Sequence, residues 1–183
     1  MSIRPISPLF IALMIAALIS ASIAHAQEVD NPVYQAWAKF KVGSSTTLTG
    51  TMNAGPMTIE AQLTQTLVER NDAEVVIEAV TVTTFAGQEH KGPPQRQTIR
   101  AKAPREDWKE IGDEDVQAAG QTFKCKVIES KRAVPSRGGQ TTETVAKVWV
   151  SPKVPGGTVQ MKFHGGAGPN QEITYLLKSF DAK

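Results

Sequence analysis

Few side chains in this sequence could do covalent chemistry, because its 183 residues include only one cysteine and three histidines. The cysteine lies in the string Phe123-Lys124-Cys125-Lys126-Val127, where apolar residues and lysines alternate. Since successive strand side chains point to opposite faces, this pattern places Cys125 in a core beside Phe123 and Val127. A buried thiol behaves as a small apolar group, and a lone cysteine forms no internal disulfide. We therefore expect no cysteine catalysis.

Other catalytic patterns are missing as well. The sequence has no Gly-x-Ser-x-Gly nucleophile elbow, no phosphate-binding loop motif and no His-Glu-x-x-His motif. His90 and His164, with one inward cysteine, make no four-ligand zinc set. The glycine-rich string 164–168 precedes a predicted strand, so we expect a hairpin loop there and not an anion site. The sequence predicts no enzyme, no metal and no cofactor, and the alternative is a hydrolase with an unidentified site.

Two charged stretches could bind ions or charged partners. Arg96, Arg100 and Lys102 share one face of a predicted strand, which predicts a patch for an anionic partner such as a lipid headgroup or a cell-wall polymer. The alternative is an ordinary solvated strand face. Segment 106–115 is acidic, but Asp113-x-Asp115 lacks the ligand spacing and central glycine of a calcium loop. This segment therefore predicts a solvated acidic turn.

The first 26 residues are typical of an export signal. Arg4 supplies a positive start, 9–24 is almost wholly apolar, and Ala24-His25-Ala26 fits the small-x-small cleavage rule. The apolar run is short for a membrane span, although a retained anchor is the alternative. We expect residues 1–26 to be a signal peptide and 27–183 to be a single exported domain, periplasmic or secreted. No stable membrane span is expected once the signal is cleaved.

The charge of the exported part excludes an ordinary nucleic-acid binder. Without Arg4, 19 lysines and arginines face 18 acidic residues, so the net charge is +1. Nucleic-acid binding proteins normally carry a concentrated and much larger positive charge.

The elements that must position these side chains are mostly strands. Asp30-Asn31-Pro32 predicts a helix start, with a capping side chain followed by proline. Residues 57–67 alternate between apolar and polar, Asn71-Asp72 predicts a turn, and 73–85 predicts a second long strand. Further strands are predicted near Phe40 and Leu48 and at 97–102, 114–117, 122–130, 141–150, 158–163 and 171–180.

This pattern predicts a mainly β (α+β) fold, in which an N-terminal helix packs on a long, curved antiparallel meander of about ten strands. The curvature is half-barrel-like, and a flattened sandwich or a closed barrel are the alternatives.

The predicted helix and meander resemble the bacterial lipoprotein-carrier (LolA/LppX-like) half-barrels, in which a curved sheet holds an acyl chain against a helical lid. The second half also resembles a group of exported bacterial domains through the strings Gly120-Gln121-Thr122-Phe123-Lys124-Cys125, Lys147-Val148-Trp149-Val150-Ser151 and Val154-Pro155-Gly156-Gly157. That group implies no activity, and the carrier resemblance is one of architecture. Pro155-Gly156-Gly157 itself predicts a chain-reversing turn.

Two functions remain open at this point. The first is a carrier that shields a lipid or acyl chain inside the curved sheet. Its predicted lining comprises Leu63, Leu67, Ile77, Trp108, Met161 and Phe163. The second is a structural or interaction module of the cell envelope, in which the same side chains pack on one another. Low aromatic content and scattered threonines slightly favour a modest cavity. The expected partners are a lipid, a lipoprotein or another envelope protein.

Overall fold

A computed structural model describes residues 28–54, 57–104, 108–135, 141–164 and 172–183. These residues form one helix, α1 (Pro32–Ala38), and twelve strands. The strands are β1 (Glu28–Asp30), β2 (Ser45–Ala54), β3 (Met57–Arg70), β4 (Glu74–Phe85), β5 (Gln88–Lys91), β6 (Gln95–Arg100), β7 (Lys102–Pro104), β8 (Trp108–Ala118), β9 (Gln121–Pro135), β10 (Thr141–Val150), β11 (Thr158–His164) and β12 (Glu172–Asp181).

The predicted helix start is confirmed. The Asn31 side chain accepts hydrogen bonds from the backbone N–H groups of Val33 and Tyr34, and Pro32 occupies the first turn. This side chain therefore satisfies two of the N–H groups that a helix start leaves without partners. The Asn31 amide also donates to the Arg100 carbonyl at 2.9 Å, which ties the start of α1 to the end of β6.

Ten strands form one antiparallel sheet in the order β5-β4-β3-β2-β12-β11-β10-β9-β8, with β6 pairing beside β5 on the same edge of β4. The remaining two strands, β1 and β7, pair with each other. The two end strands of the large sheet do not pair within the described residues, so the sheet is not closed into a barrel. The predicted fold class is confirmed.

The central joint of the sheet brings together the beginning and the end of the chain. β2 pairs with β12 so that Leu48 lies opposite Leu177. The other neighbours in the large sheet follow one another along the chain, apart from β6, which pairs with β4 after β5. We call the face of the sheet that carries Leu48, Leu63 and Tyr175 the inner face, because these side chains are buried.

The strands β8 and β9 cover part of the inner face. Directly opposed residues share a face. Trp149 lies opposite Val127 and Gln160, and a register shift between Trp149 and Val150 interrupts the alternation of faces in the β10–β11 ladder. Trp149 and Tyr175 belong to one buried core. The β8–β9 ribbon (residues 112–126) packs on this core, and β8 contacts both β11 and β12.

The prediction of an acidic turn over 106–115 is wrong for the residues that the structure describes, which begin at Trp108. Residues from Trp108 onward form β8, which pairs with β9 through a register shift beside Gly112. The positions from Trp108 to Asp115 are exposed in this edge strand. Both faces are wet there, so the polar sequence carries no alternation that would indicate a strand.

Smaller differences occur near the N-terminal half. Phe40 precedes β2 and packs beside the core under α1 instead of forming a strand. The expected strand at 97–102 is divided into β6 and β7, because Ala101 donates to the Ala73 carbonyl and accepts from Asn31.

Candidate functional site

The structure separates the six predicted lining residues instead of grouping them around one cavity. Leu63, Leu67 and Ile77 are 4%, 0% and 1% exposed and pack among other side chains. Met161 and Phe163 are partly buried beside the larger core. Trp108 lies on edge strand β8 and is 38% exposed.

One end of the inner face is covered by α1. Trp37, 2% exposed, packs on Leu67, Val75, Ile77 and Ile99. The loop between β10 and β11 holds the other side of this indole, because a Cβ added to Gly156 would lie 2.6 Å from the Trp37 ring. The Gly156 N–H donates to the Ala36 carbonyl at 3.2 Å. We call this region the closed end.

The middle of the inner face is covered by the β8–β9 ribbon. Phe123 is fully buried and makes an edge-to-face contact with Phe180 of β12, with ring centroids 5.9 Å apart. At the side of this core, the Trp149 indole N–H donates to a Glu114 carboxylate oxygen at 2.7 Å. The Lys162 ammonium lies 5.7 Å from the centre of the same indole. These polar contacts link β8, β10 and β11.

Cys125 lies on the inward face of this ribbon, in the core beside Phe123 and Val127, as its alternating sequence predicted. It is 2% exposed, and its thiol donates to the Phe123 carbonyl at 3.6 Å. Burial, with smaller contributions from the negative charges of Asp115 and Glu114, raises the pKa of the Cys125 thiol to about 11. The described histidines lie elsewhere: His90 is on β5, and His164 pairs with Val145 at the far end of β10. Thiolate chemistry at neutral pH is therefore suppressed.

The far end of the inner face is less covered. Ile59, Ala61, Phe163 and Ile173 are each partly exposed, and Phe85 is 40% exposed. We call these five residues the open end. A cavity of about 20 Å³ lies beside them, lined by Gly50, Thr51, Ile59, Ala61, Thr83, Ile173 and Tyr175.

The floor of this small cavity depends on a glycine. A Cβ at Gly50 would lie 2.6 Å from the Thr174 carbonyl oxygen and 2.8 Å from the Tyr175 ring. The ring therefore lies directly on the backbone of β2. Burial also raises the pKa of the Tyr175 hydroxyl.

The predicted anionic-partner patch is partly matched by acidic groups. Arg96 pairs with Glu78 at 3.4 Å and with Glu69 at 3.7 Å. Lys102 lies on β7 and pairs with Asp30 of β1 at 2.5 Å. Arg100 makes no salt bridge within the ranges that the structure describes. The three residues lie along one edge region, but two of the charges already have partners.

The acidic residues of β8 face lysines of β9. Lys126 contacts Glu110 at 2.6 Å, and this contact raises the pKa of Lys126. Asp113 and Asp115 lie opposite Lys126 and Lys124 in the ladder. No cluster of metal-binding side chains occurs in the described segments. Charges and a register shift are also devices that discourage uncontrolled pairing at a sheet edge.

Sequence reasoning did not identify the residues that close the inner face. Trp37 was not among the predicted site residues, and its partner Gly156 was predicted only as part of a turn. Spacing alone could not connect them, because they lie more than a hundred residues apart and meet only in the folded chain.

Comparisons with known proteins identify the fold only. No family model matches this chain, and no curated protein sequence matches it. One solved structure, a crystal structure of a "putative lipoprotein" from Parabacteroides distasonis ATCC 8503, has a similar fold with a TM-score of 0.52. The match covers 77% of this chain and 96% of that chain at 14% identity. The likeness to lipoprotein-carrier half-barrels remains a prediction.

In the part of the chain that the structure describes, no helix is long and apolar enough to cross a membrane.

Proposed function

We propose that this protein is an interaction module of a bacterial cell envelope whose core is filled by its own side chains. The observation that carries this proposal is that apolar side chains of the chain itself occupy the inner face. Leu63, Leu67 and Ile77, which a carrier would leave free for a ligand, are packed in two closed cores. We propose in addition that the protein acts by binding a partner and not by catalysing a reaction.

The small volume of the cavity described at the open end supports surface binding over enclosure. Its volume is about 20 Å³, enough for about one water molecule. Sites for small organic ligands normally have volumes of about 300 Å³ or more. An acyl chain would need several core side chains to move. In the described residues, the outer edge of β8 also has no partner strand, and its exposed charges restrict pairing there to an extended segment of complementary charge.

The envelope assignment rests on two other observations. Residues 1–26 have the three features of an export signal. The solved structure with a similar fold is described as a "putative lipoprotein". Both support export and association with the envelope.

The direct test is to purify the protein without detergent from the envelope fraction of expressing cells and analyse an organic extract by mass spectrometry. We expect no stoichiometric lipid, and no fluorescence increase with a hydrophobic dye such as 1-anilinonaphthalene-8-sulfonate. A lipid recovered at about one molecule per chain would contradict the filled-core proposal.

A second candidate is that an acyl chain lies in the open end as a shallow groove. The partly exposed apolar residues there favour it, and Met161 and Phe163 were predicted to contact such a ligand. Under this candidate, Phe163→Ser reduces the recovered lipid. The matched control is Leu176→Ser, which changes an apolar residue that is 37% exposed on the opposite face. Equal lipid recovery from both variants would exclude the groove.

A further inference from the structure

The loop between α1 and β2 holds an apolar side chain outward. Val42 is 52% exposed, and backbone hydrogen bonds fix the residues on both sides of it. The Lys41 N–H donates to the Lys183 carbonyl at 3.0 Å, and the Gly43 N–H donates to the Leu67 carbonyl at 2.7 Å. Ser44 closes the turn by donating to the Lys41 carbonyl at 3.0 Å. The exposure of Val42 is therefore built into a fixed turn.

Lysines precede this side chain in the loop, and the Lys39 ammonium lies over the Phe40 ring, 5.4 Å from its centre. Lys39 and Lys41 are exposed and make no salt bridge within the described residues. The Lys183 ammonium lies beside Gly43, 3.1 Å from the position of an added Cβ, and it contacts Asp181 at 3.7 Å. We call Lys39, Lys41, Val42 and Lys183 the lysine loop.

A fourth positive group, the Arg70 guanidinium, holds the backbone that leads into the loop. The Arg70 guanidinium donates to the Ala38 carbonyl at 2.7 Å and to the Phe40 carbonyl at 3.0 Å. Its hydrogen bonds are made to uncharged groups, so they fix the loop without cancelling the charge. Asp181 is the carboxylate that pairs with the lysine loop among the described contacts.

We propose that the lysine loop docks this protein on an anionic lipid surface, with Val42 entering the apolar layer and the three lysines contacting lipid phosphates. Anionic membranes attract such groups of basic residues. An apolar side chain adds affinity by leaving water.

The predicted patch of Arg96, Arg100 and Lys102 is the competing site, and it has the same number of positive charges. It lacks an exposed apolar residue at its centre, and two of its charges are paired.

The test compares two triple variants of the protein, purified as cells process it, in sedimentation with vesicles. The vesicles contain equal parts of phosphatidylglycerol and phosphatidylethanolamine, and uncharged phosphatidylcholine vesicles give the background. Changing Lys39, Lys41 and Lys183 to Gln should weaken binding about fivefold per lysine, from about 1 kcal/mol for each basic residue near the surface. The control changes Arg96, Arg100 and Lys102 to Gln, and its binding should stay within about twofold of the unchanged protein.

Two further measurements make the proposal specific. Val42→Ser should weaken binding to anionic vesicles several-fold without any change of charge. Salt at about 1 M, where the Debye length is about 3 Å, should abolish most of the binding. Equal losses in the two triple variants, or binding of the unchanged protein that equals the phosphatidylcholine background, would overturn the proposal. Urea unfolding of each variant verifies that it is folded. These outcomes do not depend on whether a lipid is enclosed in the core.

Discussion

The closed end and the open end of the inner face share strands β3 and β4 and lie on the same face, yet they differ in how far they are covered. At the closed end Leu67 of β3 is fully buried, whereas Ile59 of the same strand is partly exposed. Trp37 and the loop that carries Gly156 supply the cover at the closed end. The difference teaches that apolar alternation identifies a face that can be buried. The part that becomes buried depends on elements distant in sequence.

The largest expected difference between the two ends is in side-chain truncation. Trp37→Ala should lower the free energy of unfolding by about 3–5 kcal/mol, because it removes the indole that joins α1 to the sheet. Phe163→Ala at the open end should cost less than about 2 kcal/mol, because part of that ring is already in water. Urea unfolding followed by circular dichroism measures both. Equal losses would show that the open end is covered as well as the closed end.

The middle of the inner face can be tested through Cys125. At pH 8 its reaction with a thiol reagent should be slower than that of a free thiol by about two orders of magnitude, because a pKa of about 11 leaves little thiolate. The rate should rise about tenfold per pH unit up to that pKa. Labelling in urea provides the fully reactive control. Fast labelling of the folded protein at pH 8 would mean that the thiol of Cys125 is not held in the core.

The contact between Gly156 and Trp37 can be tested with a matched pair of glycines. Gly156 and Gly157 both have positive φ, 74° and 78°, so alanine at either position costs about 1–2 kcal/mol of backbone strain. Only alanine at Gly156 would also meet the Trp37 ring, which adds about 1–3 kcal/mol. We expect Gly156→Ala to lower the melting temperature clearly more than Gly157→Ala. The same shift in both would show that the loop does not hold the indole.

The smallest expected effect concerns the start of α1. Asn31→Ala should cost about 1 kcal/mol through loss of the helix cap. Asn31→Asp keeps the capping oxygen but puts a carboxylate oxygen where the amide donates to the Arg100 carbonyl; the retained cap should still make it less costly than Asn31→Ala. Chemical denaturation distinguishes the two. If Asp were as costly as Ala, the tie to β6 would matter more than the cap.

The sequence allowed prediction of features set by neighbouring residues. The helix start, the alternation along β3 and the inward direction of Cys125 depend on neighbours in the chain. β8 was missed over most of its length because its residues are polar on both sides and its pairing with β9 gives no apolar signal. The residues of the predicted lining lie in different parts of the fold for a related reason. Leu63 and Leu67 lie in two different cores, and only the folded positions of Trp37 and Phe123 decide which core each joins.

The joint between β2 and β12 has a consequence for how the chain folds. The Lys183 N–H donates to the Ser44 hydroxyl across 139 residues of sequence, at the end of the β2–β12 ladder. Hairpins such as β3–β4 can form as soon as their two strands are present, whereas this joint must wait for the last strand and close a very long loop. A chain that crosses a membrane with its N-terminus first would therefore remain an incomplete sheet until β12 emerges. The final strand then acts as the step that commits the whole domain to its folded state.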